Sequence, residues 1–320
     1  MKIYSFLFFF IVVFCSKGQT SKDYLEYHQS ILEAETQISN ENYEGALNNL
    51  SALLDAYEFV FLKDIKIAAQ LAMLVDKPDV TFKFLKRGLA SGWTIKEIKR
   101  MNLFKTLKSD NRWGLLINDA LDLTIEHQNT LDLEIREVVK EMFKNDQKLA
   151  LGYLFRIGQK AKERYANKKV VPHAIEQMKR LNLIMDDEGY PGEKLIGEPV
   201  WMSTILSHHN SISEEFVKSD TLYYAIRPRL LSAIKKGELN PYVFALIDDW
   251  RIAIEFDRQK AGYGYIESLS KNQIPASDEL RQKLNLRSVG LRNKLVDIQE
   301  KTGMDFELAG SGWVNGKIGE

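Results

Sequence analysis

The sequence predicts an all-α fold, on three observations. Apolar residues recur at intervals of three and four over most of the chain, the spacing that lines one face of a helix. From Asp23 to about Asn129, proline and glycine are too sparse to interrupt that pattern for long. Segments alternating apolar and polar residues, as a half-buried strand would, are scarce throughout.

Composition bounds what such a fold can do. With 320 residues, 45% of them hydrophobic, the chain can bury a substantial core, and its length suits two domains. Lys plus Arg and Asp plus Glu both number 44, so no cationic excess is available to hold a nucleic-acid backbone. A single cysteine, Cys15, excludes an internal disulfide and any multi-cysteine zinc or iron–sulfur centre.

Residues 1–18 read as an export signal. Lys2 precedes an almost wholly apolar run from Ile3 to Phe14, shorter than the ~20 residues a spanning helix needs. Ser16 and Gly18 put small residues where a signal peptidase reads, which would release Gln19 as the new N-terminus and leave no transmembrane segment in the mature chain. Lipidation at Cys15 is the less favoured ending, because bulky Phe14 precedes it. The reading places the protein in the periplasm or outside the cell.

From Asn42 the chain carries Tyr43, Gly45, Ala46, Leu47 and Leu50 at the spacing of a repeat helix, and 35 positions on Leu47, Leu50 and Leu54 become Phe82, Leu85 and Leu89. This stretch resembles tetratricopeptide (TPR) repeats. Gly92-Trp93 and the beat Phe104, Leu107, Asp110, Trp113, Leu116 look like closing helices. Two degenerate copies are fewer than the three or so that bury a continuous core. Residues 19–129 are therefore expected to lean on the following domain through the Trp93–Leu116 region, and the resemblance implies a concave surface for a peptide or protein partner.

The second unit spans residues 130–308. A charged helix from about Thr130 to Lys168 carries the stripe Ile135, Val138, Val139, Met142 and Phe143, with Leu154, Phe155 and Ile157 continuing it. A helix from about Ala174 ends at Gly189-Tyr190-Pro191. Pro199 opens another through His209, and Glu214–Lys236 is helical with a break expected at Pro228 and a stop at Gly237. Asn240-Pro241 is an N-cap followed by proline at the first helical position and starts a helix to about Arg258. Gly262-Tyr263-Gly264-Tyr265 reads as a loop, Ser277–Lys301 as the last helix and residues 309–320 as a mobile glycine-rich tail.

Asp146-Gln147, Gly189-Tyr190-Pro191, Ile196-Gly197, His208, Gly237-Glu238-Leu239, Ala245 with Asp249, Tyr263-Gly264, and Arg287 with Gly290-Leu291 stand in this order. Through them the stretch from about Asp146 to Leu308 resembles an uncharacterised domain family of exported bacterial proteins, particularly of the Bacteroidota, often found behind helical repeats. The resemblance implies location and fold and carries no established activity. Two positions depart from the family pattern: Trp250 stands where arginine follows the aspartate, and Tyr265-Ile266 stand where Thr-Gln follows Tyr-Gly.

No phosphate-binding glycine loop, nucleophile elbow, H-E-x-x-H or EF-hand loop is present, and no cofactor or metal is expected. His208 and His209 are adjacent, so on a helix their side chains point about 100° apart and do not converge on one ion. Asp186-Asp187-Glu188 reads as a solvated acidic face. Asp249 stands out, interrupting the apolar stripe Ala245, Leu246, Ile252, Ala253 and Phe256. A carboxylate there must be compensated, with His208, Tyr263, Arg227, Arg229 and Arg251 as the candidate partners. The plainer reading is a satisfied core polar residue; the sharper one is a catalytic His208, Asp249 and Tyr263 in one pocket. The function expected is an exported envelope binding or scaffold protein, with a hydrolytic enzyme as the alternative.

Overall fold

The structure is a computed structural model describing residues 23–308 and 316–319. The expected export signal, the expected Gln19 terminus and Cys15 lie outside the described residues. Among those described there is no strand, and the fold is all-α.

Two helical pairs open the chain. α1 (Tyr24–Ser39) and α2 (Tyr43–Ala56) start on Asp23 and Asn42, each accepting a backbone N–H, and α3 (Leu62–Leu74) packs with α4 (Pro78–Leu89). The 35-residue register is a packing register: Leu47, Leu50, Leu54, Phe82, Leu85 and Leu89 are all buried, as are Ala46 and Thr81 at the small position. α5 (Ile95–Arg100) begins in a capping box of Thr94 and Glu97, and α6 (Asn111–Asn129) closes the unit.

α7 (Leu133–Leu154) and α8 (Gln159–Tyr165) form a projecting hairpin, and a π-helical turn over residues 166–170 leads into α9 (Val171–Asp187). The expected continuous helix to Lys168 therefore breaks at 155–158, where Gly158 takes φ 85° and turns the chain. α10 (Glu193–Ile196), α11 (Trp201–His209) and α12 (Glu214–Ser219) follow. α13 (Leu222–Lys235) runs through Pro228, so the expected break comes earlier, at Asp220, whose carboxylate accepts the N–H groups of Leu222 and Tyr223. α14 (Pro241–Glu255) starts on the Asn240 cap as the sequence indicates. The single last helix is two, α15 (Ile274–Gln282) and α16 (Val289–Thr302).

The hydrophobic cores divide the chain differently from a boundary at 129/130 and an end at 308. One core joins α1–α6 to Leu295, Val296, Ile298, Met304, Phe306 and Leu308, so the C-terminal segment folds back onto the first unit. The other is built from α7, α9, α11, α13 and α14, with Tyr263 and Leu286. α16 packs on α1 and adds a further layer to the first unit. Residues 316–319 are pinned rather than mobile: Ile318 is buried and exchanges hydrogen bonds with Asn293 at 2.9 Å in both directions.

Trp93, Leu107, Trp113 and Leu116 bury inside the first core, so the seam with the second unit is not the expected Trp93–Leu116 face. It runs along α1 and α3. Tyr24 lies against Gly237, where a Cβ would meet its ring at 2.4 Å. Buried Glu35 faces buried Arg287, Nη2 to Oε1 at 2.9 Å. Tyr242 bridges the two, its hydroxyl donating to Glu35 at 3.2 Å and accepting from Arg287 Nε at 2.8 Å. Within the first core, Gln70 holds both the N–H and the C=O of Asp305 and so fastens the C-terminal segment to α3.

Candidate functional site

Asp249 is compensated by backbone. Its Oδ1 accepts the N–H of Tyr263 at 2.6 Å, and its Oδ2 accepts those of Tyr265 at 2.7 Å and Ile266 at 3.2 Å. It is buried, and burial raises its carboxyl above the ordinary range although those three N–H groups oppose the rise. The Gly-Tyr-Gly-Tyr loop is thus wrapped on one carboxylate. Gly262 permits the approach, since a Cβ there would lie 1.9 Å from Asp249 Oδ1. Arg281 fastens the far side of the loop by donating Nε to the Tyr263 carbonyl at 2.9 Å.

None of the expected arginines reaches Asp249. Arg227 grips Asp248 with Nε at 3.0 Å and Nη2 at 2.9 Å, and Asp248 also accepts the hydroxyls of Tyr223 and Tyr263. Arg251 pairs with buried Asp220 at 2.9 Å and with Glu255 at 3.1 Å. Arg229 pairs with Asp186 at the surface. Asp220 also binds His209 Nε2 at 3.0 Å; burial opposes its charge, yet His209 and the two backbone donors hold it down at about 2.

His208 points elsewhere. Its Nδ1 lies 2.6 Å from Asp146 Oδ2 on α7, so two of the residues carrying the family resemblance, Asp146 and His208, meet across the fold. A carboxylate on Nδ1 favours the tautomer with its proton there and leaves Nε2 as an acceptor. His173 lies close to the pair: burial lowers its pKa while Asp146 opposes the change. The three residues of the catalytic expectation therefore do not form one site. Tyr263 joins Asp249 through its main chain in a buried network, and only His208 lines the open cavity.

That cavity, of about 700 Å³, lies on the seam between the two cores. α14 presents Val243, Leu246 and Trp250 to it, three positions on one helical face, while Asp248 and Asp249 face the buried networks. Across from them stand Leu62, Lys63 and Lys66 of α3. Lys63 places its amine 4.2 Å over the Tyr242 ring and makes no ion pair among the described residues. Burial and the nearby Arg287 push its pKa down to about 8, against the pull of Glu35 and Asp64.

Glu193 is the other feature that sequence reasoning missed. α3 begins after Phe61, which has no side-chain acceptor, and Glu193 caps it from the second unit by accepting the Leu62 N–H at 2.6 Å. Burial, with Asp64 and Glu307 nearby, pushes its pKa up to about 7 against that hydrogen bond and Lys66. An uncapped helix start at Phe61-Leu62 is the one sequence signal of a missing partner, and it does not say which acid supplies it. A folded pKa above the unfolded value means that the native state holds the extra proton, so stability falls as pH rises from about 4.5 to about 7. Asp64, pushed up by burial from 3.8 to about 6, adds a fall of the same sign at lower pH. Glu193→Gln is expected to remove the upper part of this slope, read from denaturant midpoints across the range against the parent chain.

No family model matches the chain, and neither a curated protein nor a solved structure does.

Proposed function

We propose that this is an exported envelope binding protein that takes a ligand with an anionic head and an apolar body into the cleft between its two helical units. Lys63 carries the reading. The acids lining the cleft are engaged, Glu193 by the Leu62 N–H, Glu307 by Lys66 at 2.9 Å and Asp305 by the Glu307 N–H, whereas Lys63 lies over the Tyr242 face and forms no ion pair among the described residues, with Glu35 and Asp64 acting on it only through space. Beside it Val243, Leu246 and Trp250 supply apolar wall, and the volume falls in the range of small-molecule sites, ~300–1,000 Å³.

Decanoate, with decanol and decylamine as controls, tests the charge preference by calorimetry and thermal shift. Decanoate is expected to bind best, and Lys63→Met to weaken it about tenfold or more while leaving decanol unchanged. Equal binding of acid and alcohol by the parent chain refutes the reading. A hydrolytic second reading draws on the Asp146–His208 pair, whose Nε2 is placed to act as a base on the cleft wall. Turnover of a decanoyl ester that is lost in His208→Asn would favour it over binding alone.

A further inference from the structure

The hairpin formed by α7 and α8 ends in the most exposed apolar cluster of the described residues. Exposure climbs along α7, from Val139 and Met142 at 0% to Leu151 at 53% and Leu154 at 68%, and then Phe155 at 80% and Ile157 at 95% in the turn. Side chains that continue the buried stripe in sequence thus leave the core as the helix outruns it. Single exposed leucines are ordinary, but four large apolar groups at one tip are not.

The hairpin that carries the tip is also cationic along its length. Residues 148–169 carry Lys148, Arg156, Lys160, Lys162, Arg164, Lys168 and Lys169 against Glu163 alone, a net of plus six in a chain whose formal charge is zero. None of the seven forms an ion pair among the described residues. Arg156 stacks on Tyr165 at 4.6 Å and Lys162 lies 5.6 Å from the Tyr153 ring, and Arg164 donates to the Lys160 carbonyl.

The hairpin is built to hold this arrangement. Gly152 lets the two helices close, since a Cβ there would meet the Tyr165 hydroxyl at 2.2 Å. With Gly158 at positive φ, Phe155 and Ile157 are held in a short preformed turn.

We propose that this tip docks the protein on an anionic lipid surface, with Leu154, Phe155 and Ile157 entering the interface and the lysines and arginines of the hairpin meeting the headgroups. An apolar tip on a hairpin whose cations form no ion pair among the described residues matches the two layers of such a surface, apolar below and negative above. A soluble acidic partner would satisfy the charges and leave Phe155 and Ile157 in water. No described helix is long and apolar enough to cross a bilayer, so the contact is peripheral. The proposal is independent of the cleft ligand.

Co-sedimentation of the full chain with vesicles of equal parts phosphatidylglycerol and phosphatidylcholine, against phosphatidylcholine alone, tests it. Binding is expected to the anionic vesicles only and to weaken with salt. Phe155→Ser with Ile157→Ser, and separately Lys160→Glu with Lys168→Glu and Lys169→Glu, are each expected to reduce it about tenfold or more. These positions are solvent-facing, so an unchanged melting temperature confirms that the variants fold. A Phe155→Trp probe should shift its emission to the blue on anionic vesicles. No binding to those vesicles, binding that either variant leaves intact, or binding to heparin without binding to vesicles overturns the proposal.

Discussion

Glu35→Ala is expected to lower the unfolding free energy by about 3–5 kcal/mol, the loss typical when one partner of a buried ion pair is removed. Glu35 and Arg287 are both about 2% exposed at their side chains. Burial works against the Arg287 charge, and Glu35 with Tyr242 restores it. Without Glu35 the guanidinium keeps the Tyr242 hydroxyl and loses its counter-charge while itself staying buried. One nitrogen, Nη1, already has no hydrogen-bond partner. The midpoint of urea unfolding should fall with the slope unchanged, which marks a loss of stability rather than a change in the exposed area. Glu35→Leu with Arg287→Met should recover most of the loss, because an apolar pair of similar volume leaves no charge behind. A loss under about 1 kcal/mol for Glu35→Ala would place the pair among solvated surface bridges and contradict its burial.

That seam is the part of the molecule that was least legible in the sequence. Periodicity gives each helix its buried face, and the offset of 35 between Leu47 and Phe82 is visible because equivalent helices bury equivalent positions. Asn240 before Pro241 announces α14 because capping is local chemistry. Glu193 and Leu62 are 131 residues apart and Glu35 and Tyr242 are 207 apart, and no local rule pairs them. Lys63 gives no signal at all, since its character comes from Tyr242 and Arg287 across the seam. Leu295–Leu308 joins the first core for the same reason: an amphipathic helix states that it needs a partner and not which one. Pro228 misleads in another way, as a break rule applied where α13 continues through the proline. Leu154, Phe155 and Ile157 read as core because they share a sequence pattern with Val139 and Met142, and pattern does not record where the neighbouring helices end.

Asp249 shows how far a correct inference from sequence can go and where it stops. An interrupted apolar stripe requires the carboxylate to be compensated, and it is; the compensating groups are main-chain N–H groups, which every residue carries and no motif reveals. Asp249→Ala is therefore expected to cost about 3–5 kcal/mol: two buried donors and one part-buried donor lose their acceptor, at about 1–3 kcal/mol each before the loop relaxes. Asp249→Asn should cost about 1–3 kcal/mol, because one amide oxygen survives while the new NH₂ group faces backbone donors. Hydrogen exchange gives the specific signature. The amides of Tyr263, Tyr265 and Ile266 should lose protection in Asp249→Asn beyond the global loss, since the loop opens before the core does. The cleft lies on the other face of α14, presenting Val243, Leu246 and Trp250, so affinity for a cleft ligand measured on folded Asp249→Asn should match that of the parent chain. A variant that keeps its stability and loses ligand affinity or turnover would instead make Asp249 part of the working site and the loop bonds incidental to it.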